Sequence, residues 1–579
     1  MEDLEDLAAP TSRRTRVLTF AAALLLAAVG AWVAPTSWPS GPGVLEVGYQ
    51  DLAAVQQPVA IGAGERITFE RPLPGTVDRV VRVELPAGVA TDAPVQARIT
   101  LLVDGAPVRP ALDDITLTLI LSDGRRELVP PIRWDEEAGV LRAVRRPPLH
   151  AGIVLALLGL VIVFWVTEII PLFITSLLVP VVIVIAGVGR APEALAPFFH
   201  PIIALFFGGF LIAEAMRRVR LDHFIAVTLV ARAGRSPALL FAALLATAAF
   251  LSMWMSNTAA TAVLVPIAIA VTEPIANVGY RKACVLGIAF AATTGGVGSM
   301  IGTPANPLAA EFLATFADRE MAFVDWFAFG LPFVVIFLPV VGIYLWRRSG
   351  ASVDPQRFAE VRRAAQTERR ALGRLTGEQM LVLGALLLVI VGWLTQRMHG
   401  ISTGIVALAG AVLLGFLGKV GPRELQRVSW SSLLTFGGGL ALGVFLGETG
   451  TSDWLATRMA ALSMFTPWVG VAVVAAVSLG LTAVASNTAS AALLIPLAIP
   501  LAGVLGVDPV LLVVVVAIAS SIDFALVIGT PPTMIAYSTR LFTTREIFRM
   551  GILLDLMGIV LLITAVAGVW HLLGIVRVF

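Results

Sequence analysis

Apolar and polar positions divide the chain into three textures. A short apolar run, residues 17–34, follows Arg13, Arg14 and Arg16. Residues 35–149 then alternate apolar and polar positions in brief stretches, among them 66–69, 79–85, 96–103 and 115–122, with Pro, Gly and Asp between them. A period of two marks strands with one buried face, and several such stretches at close spacing predict a small β-sandwich. From 151 onward the chain is almost continuously apolar, with charge-free windows at 169–189, 236–272 and 459–507. A span of hydrocarbon needs about 20 apolar residues. The last two windows are therefore long enough to enter a membrane and fold back within it.

Composition agrees with the third texture: of 579 residues, 58% are hydrophobic and 14% charged, which excludes an ordinary soluble protein of this size. A formal charge of +2 gives no reason to expect nucleic acid. The lone Cys284 excludes a disulfide framework and a cysteine-based metal site. His150, His200, His223, His399 and His571 are too scattered for ligand spacing. No cofactor and no enzymatic constellation is expected.

Basic residues assign sides to the segments. The flank Arg13–Arg14–Arg16 places the N-terminus in the cytoplasm whether the run after it is a signal peptide or a retained helix. The lack of a convincing small-x-small cleavage site favours a retained helix. The first long fold-back is bordered by Arg217, Arg218, Arg220, Arg232 and Arg235 on one side and by Arg281 and Lys282 on the other, so both its flanks are cytoplasmic. The second fold-back has only Arg458 nearby, and both its flanks are external. Arg540, Arg545 and Arg549 then return the chain to the cytoplasm before a last helix from about 552 to 576. The expected organisation is a cytoplasmic N-terminus (1–16), a first transmembrane helix (17–34), an external β-sandwich (35–149), a first membrane repeat (150–346), a cytoplasmic, partly helical linker (347–377) and a second membrane repeat (378–579). That makes a polytopic α-helical membrane protein of about 11 spans, in the inner or plasma membrane, with the β-sandwich periplasmic or extracellular.

The two halves carry the same landmarks in the same order. Phe207-Gly208-Gly209 answers Phe436-Gly437-Gly438, Ser256-Asn257-Thr258 answers Ser486-Asn487-Thr488, and Gly302-Thr303-Pro304 answers Gly529-Thr530-Pro531, at offsets of 229, 230 and 227 residues. Three spaced matches make an internal repeat. With opposite sides assigned to the two fold-backs, the repeat is inverted, and such repeats place substrate and ion sites near the midplane where they meet. The Ser-Asn-Thr segments read as helix hairpins with polar tips. The Gly-Thr-Pro segments read as helices broken in mid-membrane.

A helix broken in hydrocarbon leaves amides and carbonyls without partners, which is tolerated where they face protein, water or a ligand. Carbonyls freed at Gly302 and Gly529, with the side-chain oxygens of Ser252, Ser256, Asn257, Thr482 and Asn487, offer the hard oxygen environment an alkali cation such as Na⁺ requires. Amides at the helix starts after each motif suit an anion. No Lys or Arg occurs within 251–266, 290–311, 481–500 or 517–539, so bound cations and helix N-termini must offset an anion's charge. Anion binding then depends on cation binding, the coupling a symporter needs. Two facing polar loops suit an anion with two charged ends. Gly208, Gly209, Gly437 and Gly438 read as close-packing positions, and Glu168, Glu214, Glu311 and Glu448 as structural or solvated acids near helix ends. Asp523, inside an apolar helix six residues before Gly529, is costly there, as functional acids in membranes are; a cation ligand, a proton carrier and a structural hydrogen-bond partner are all open.

These motifs, together with Trp165-Val166-Thr167-Glu168-Ile169-Ile170-Pro171 and Met253-Trp254-Met255 ahead of the first Ser-Asn-Thr, resemble the divalent anion/sodium symporter family (DASS), the INDY-like dicarboxylate and citrate transporters. The resemblance covers 151–579 and leaves the β-rich segment outside. It implies a homodimer with a scaffold and a mobile transport domain, an elevator-type movement, and one sodium site per hairpin. The first site would use Ser252, Ser256, Asn257 and Gly302, and the second Thr482, Ser486, Asn487 and Gly529. Asn257, Thr258, Thr303, Asn487, Thr488, Thr530 and Pro531 would meet the anion. Ala305 and Thr533 depart from the family's Gly-Thr-Pro-Pro-Asn pattern, and Asp523 is foreign to it. The expected function is Na⁺-coupled transport of small divalent anions, C4-dicarboxylates such as succinate first, with a proton-coupled carrier or an exchanger of sulfate or tricarboxylate as the alternative. A membrane sensor with a ligand-binding external domain is the reading from another class. No residue identifies a partner for the β-rich segment.

Overall fold

The computed structural model describes residues 148–575 except 234–235, 318, 350–352 and 459–465, together with 23–28 and the strands between 41 and 145. Arg13, Arg14, Arg16 and most of the run 17–34 lie outside the described residues; 23–28 is helical. For the strands, backbone pairing alone is described. They are β1 (Gly41–Tyr49), β2 (Leu52–Ile61), β3 (Ile67–Pro72), β4 (Arg79–Leu85), β5 (Val95–Val103), β6 (Ala106–Val108), β7 (Ile115–Leu121), β8 (Arg126–Leu128), β9 (Ile132–Asp135) and β10 (Val140–Arg145). Antiparallel pairing joins them into one sheet ordered β2-β1-β7-β8 and another ordered β3-β4-β5-β10-β9, with β6 beside β5. The side chains that would pack two sheets into a sandwich lie outside the described residues.

The remainder is helical. The first half runs α1 (Pro148–Thr167), α2 (Leu172–Ile185), α3 (Pro201–Arg218), α4 (Leu221–Ala233), α5 (Pro237–Ser252), α6 (Asn257–Thr272), α7 (Val278–Gly296), α8 (Ala305–Ala317) and α9 (Phe323–Arg348). A linker helix, α10 (Pro355–Ala371), leads to α11 (Gly377–Leu394), α12 (Thr403–Phe416), α13 (Trp430–Glu448), α14 (Thr451–Arg458), α15 (Pro467–Val484), α16 (Asn487–Leu505), α17 (Pro509–Ala519), α18 (Pro531–Ser538) and α19 (Thr544–Leu561). Among the described residues eight helices are long and apolar enough to cross a membrane, and five apolar helices are shorter.

The element order from α3 to α9 is the order from α13 to α19, and packing exchanges the halves reciprocally. Helix α3 lies on α12 while α13 lies on α2; α8 packs on α16 and α17 while α18 packs on α6 and α7. Small residues permit these approaches, as in other membrane helix pairs. A Cβ added to Gly208 would fall 2.6 Å from the Ala407 carbonyl carbon, and one on Gly438 2.4 Å from the Ser176 Cβ. Gly437 is filled against the Phe198 ring, whereas Gly209 meets nothing within 4 Å, so close packing is not the reason for the second glycine of the first pair. Overpacking costs about 1–3 kcal/mol. Gly208→Leu is therefore expected to lower the temperature of half-aggregation of purified protein by several degrees while Gly209→Leu leaves it nearly unchanged.

The last long helix starts at Thr544 rather than near 552, because Thr543 caps it: its hydroxyl accepts from the Glu546 amide at 3.2 Å and the Glu546 carboxylate returns to the Thr543 amide at 2.9 Å, a capping box. The linker folds into one helix capped by Asp354, whose carboxylate accepts from the Gln356 amide at 2.9 Å. It lies along α4 and α6, with the Arg369 guanidinium 4.7 Å above the Phe224 ring and Phe358 and Ala365 buried.

Candidate functional site

Each Ser-Asn-Thr motif sits where two antiparallel helices meet. In the first hairpin, α5 ends at Ser252 and α6 begins at Asn257, with Ser256 as N-cap: its hydroxyl accepts from the Ala259 amide at 3.2 Å. In the second, Ser486 caps α16 identically, accepting from the Ala489 amide at 3.2 Å. Both motifs are thus helix starts, and both leave free amides of a long helix directed at the tip, where an anion is favoured. The asparagines are held by hydroxyls at the same position. The Asn257 side-chain amide donates to Ser252 Oγ at 2.6 Å and Thr482 Oγ1 donates to Asn487 Oδ1 at 2.8 Å, so the hydroxyl four residues before each motif positions the amide within it.

The first break, 297–304, separates α7 from α8. Its start is prepared by Gly295-Gly296. A Cβ on Gly295 would fall 2.3 Å from the Ala249 carbonyl oxygen, so hairpin and broken helix touch backbone to backbone. The carbonyls left over at the end of α7 are claimed by two side chains. The Asn306 amide donates to Gly296 O (3.1 Å), Val297 O (3.3 Å) and Ser299 O (2.7 Å), and Trp326 Nε1 of α9 donates to Val297 O at 2.8 Å. Gly302 is bare because a Cβ there would meet Gly296 O at 2.3 Å and Ser252 O at 2.8 Å. Carbonyls of the hairpin arm and of the break therefore converge on this glycine.

Asn257 closes the same point with its side-chain amide, whose nitrogen donates to Gly302 O at 3.1 Å, Ser252 Oγ at 2.6 Å and Ala292 O at 3.3 Å. The hydroxyl and carbonyl oxygens gathered there are hard ligands of the kind an alkali ion takes. Among the described residues no three His, Cys, Asp or Glu side chains gather as metal ligands.

The second break is longer and starts earlier, at 520–530 between α17 and α18. Thr482 Oγ1 lies 2.7 Å from the Ser520 carbonyl, tying the second hairpin to it. Here α19 supplies an acceptor in place of a donor: Asp555 Oδ1 accepts from the Phe524 amide at 2.9 Å and Oδ2 from the Ala525 amide at 3.1 Å. Gly551 lets α19 approach, since a Cβ would fall 2.0 Å from Phe524 O; Gly330 does the same for α9 at Val297 O, at 2.3 Å. Asp523 is fully buried beside Gly529, with a Cβ on that glycine only 1.7 Å from Asp523 Oδ2. The two breaks touch where the hydroxyls of Thr303 and Ser521 approach to 3.4 Å.

The geometry thus gathers Ser252, Asn257 and Gly302 at one tip, and Thr482 and Asn487 at the other, with Gly529 placed against Asp523. Ser256 and Ser486 spend one lone pair on their caps. The seven residues expected to meet an anion do not share one surface. Thr258 and Pro531 are exposed and Asn257, Asn487 and Thr488 half-buried, while Thr303 and Thr530 are buried, the latter with its hydroxyl 2.9 Å from that of Thr533. Among the four acids read as structural, Glu214 pairs with Arg217 at 2.6 Å and Glu311 with His200 at 3.1 Å. Asn306, Trp326, Ser520, Ser521 and Asp555 escaped the sequence reading. Asp555 carried the same signal as Asp523, an acid in an apolar helix. Replacing Trp326 by Phe keeps the ring and removes the donor to Val297. A lost hydrogen bond of this kind costs about 1 kcal/mol, and thermal scans of the purified variant are expected to show a small, uniform downward shift.

Comparison with known proteins gives the family of the helical part. Residues 147–576 match the sodium:sulfate symporter transmembrane region, a match that begins just after β10. A sodium-dependent dicarboxylate transporter of Staphylococcus saprophyticus is 30% identical over 71% of this chain and 85% of its own length. An uncharacterised transporter of Haemophilus influenzae is 33% identical over 72% of this chain and 91% of its own. Among solved structures, the Alcanivorax borkumensis YdaH transporter aligns with 66% of this chain and 86% of its own, at TM-score 0.47 and 16% identity. With the matched region covering nearly the whole helical part, and with relatives named as transporters rather than enzymes, the chain belongs to the sodium:sulfate symporter family, the divalent anion/sodium symporters.

Proposed function

We propose that the protein is a secondary active transporter that moves small divalent anions, C4-dicarboxylates such as succinate first among them, coupled to Na⁺. The observation that carries this reading is the convergence of Ser252 Oγ, the Asn257 amide and the Gly302 and Ala292 carbonyls on one point of the first hairpin, matched at the other tip by Thr482, Asn487 and the Ser520 carbonyl. Ser252, Asn257 and Gly302 would hold one Na⁺, and Thr482, Asn487 and Gly529 a second; Ser256 and Ser486 support the two tips. Bound Na⁺ supplies positive charge where no Lys or Arg is present. The helix starts at Asn257-Thr258 and Asn487-Thr488 then present amides to a carboxylate each, with Thr303, Thr530 and Pro531 reached as the tips move. The dicarboxylate specificity named for the Staphylococcus relative supports succinate over sulfate.

The same reading makes the repeat inverted, each hairpin re-entering from its own side, and the membrane part of about 11 spans. The reciprocal packing of α8 and α18 on the opposite half supports a transport unit that moves as one body against a scaffold, in an elevator-type cycle of a homodimer in the cell membrane. The N-terminus and the linker around α10 are assigned to the cytoplasm, and the two sheets of 41–145 to a sandwich on the outer face.

Uptake of labelled succinate into proteoliposomes under imposed Na⁺ or proton gradients tests this. Uptake driven by inward Na⁺, reduced by excess unlabelled dicarboxylate more than by sulfate or citrate, is the expected result. Uptake driven by protons alone, or none under any gradient, would contradict it.

A further inference from the structure

The two halves differ at one position that faces the cation-binding tips. With Gly302 matched to Gly529, Asp523 takes the place of Gly296. In the first half that place points at the tip of the Asn257 side chain and the Gly302 carbonyl, because a Cβ on Gly296 would fall 2.2 Å from the Asn257 amide and 3.0 Å from Gly302 O. The first half has no side chain there. The second half has a carboxylate, and it lies directly against the glycine that corresponds to Gly302.

Asp523 is 0% exposed and neither of its oxygens closes a hydrogen bond, although the Leu526 amide faces it. Its acidic neighbour Asp555 is engaged by two backbone amides and adds negative charge within electrostatic reach. No Lys or Arg lies within 517–539 or 481–500. An unpaired carboxylate in an apolar interior is strongly disfavoured and is retained where it meets an ion or a proton path. The carbonyl of Ser520, three residues before Asp523, accepts from Thr482, and Gly529 lies against the Asp523 carboxylate; the reading above assigns Thr482 and Gly529 to the second cation.

Building on the Na⁺-coupled reading above, we propose that Asp523 is a direct, charged ligand of the cation at the second hairpin, so that the two cation sites of this carrier are chemically unequal. The first is formed by neutral oxygens and holds Na⁺ well only when the anion is beside it. The second carries its own counter-charge and fills first, without the anion. Loading is ordered: Na⁺ at the second tip, then anion and the other Na⁺ together. Coulomb attraction varies inversely with both separation and dielectric, so in a medium of low polarity the closer approach of Na⁺ to the carboxylate favours it over the larger K⁺.

The test is Na⁺ binding without transport. Purified full-length protein in detergent is titrated with NaCl against choline chloride, without anion, and read by thermal stabilisation. Wild type is expected to be stabilised, with Asp523→Asn needing at least about 10-fold more Na⁺, the equivalent of one pairing interaction with a charged group, and Asp523→Glu in between. Difference infrared spectra of the wild type, Na⁺ minus choline, are expected to show a shifted carboxylate band, which keeps the test independent of how Asp523→Asn folds. Equal Na⁺ midpoints in wild type and Asp523→Asn, or a wild-type spectrum with no carboxylate change, would overturn the charged ligand while leaving Na⁺ coupling in place, and would make Asp523 a structural partner. A wild type that does not respond to Na⁺ at all overturns the coupled reading itself.

Discussion

Replacing Asn257 by alanine is expected to raise the Na⁺ concentration that half-saturates uptake by about 10- to 100-fold, without loss of folded protein. The amide nitrogen is anchored on Gly302 O, Ala292 O and Ser252 Oγ, which leaves Oδ1 as the ligand oxygen of the proposed site. Removing a polar ligand to a charged group costs about 1.5–3 kcal/mol, and every 1.4 kcal/mol is tenfold in affinity. Asn257→Asp keeps one ligand oxygen but turns a second acceptor toward Gly302 O and Ala292 O, so it is expected to retain Na⁺ dependence only in part. Asn487→Ala should act in the same direction at the second tip, since Thr482 holds Asn487 as Ser252 holds Asn257. Initial rates of succinate uptake at varied external Na⁺ measure the effect. A change in maximal rate with an unmoved Na⁺ midpoint would assign Asn257 to the anion or to the fold.

The second large effect is expected at Asp555. Its two oxygens cap the amides of Phe524 and Ala525 at the start of the unwound segment. Asparagine is nearly the same size but turns an N–H toward one of those amides, so one capping bond is replaced by a donor facing a donor. With charge-assisted bonds worth about 1.5–3 kcal/mol and a buried orphan donor costing about 1–3 kcal/mol, Asp555→Asn should lose several degrees of thermal midpoint. It should also lose uptake, because the geometry of Ser520 and Asp523 depends on the same loop. Val334, one turn past Gly330 on α9 as Asp555 is one turn past Gly551 on α19, provides the comparison: Val334→Ala removes only apolar contact and should leave uptake largely intact.

The general plan was legible in the sequence because its signals are local and doubled. Ser-Asn-Thr marks a helix start through N-cap chemistry that needs no tertiary contact, and both copies form caps of the same geometry. Apolar windows longer than a span announced the paired helices, and the family resemblance over 151–579 matches the region 147–576 that aligns with the symporter model. What escaped was whatever depends on a partner distant in the chain. Asn306 is unremarkable until its amide is seen to close three carbonyls of the preceding helix. Trp326 reads as an apolar anchor until its Nε1 is found on Val297 O. The second break begins at Ser520 rather than next to Gly529 because Asp555, on another helix, satisfies the amides that unwinding exposes. Gly209 shows the opposite error: its pairing with Gly208 suggested a packing role, yet only Gly208 meets another helix. The side assignments of the loops rest on charge alone, and the inversion of the repeat with them.

Joint occupancy of the two tips by cation and anion makes one thermodynamic demand: Na⁺ must raise anion affinity, and the anion must raise Na⁺ affinity by the same factor. Succinate binding to the purified protein, measured calorimetrically at low and at saturating Na⁺, and Na⁺ binding measured with and without succinate, test that demand most directly. Equal factors of tenfold or more in both directions are predicted, whereas succinate affinity that is indifferent to Na⁺ would contradict a shared site.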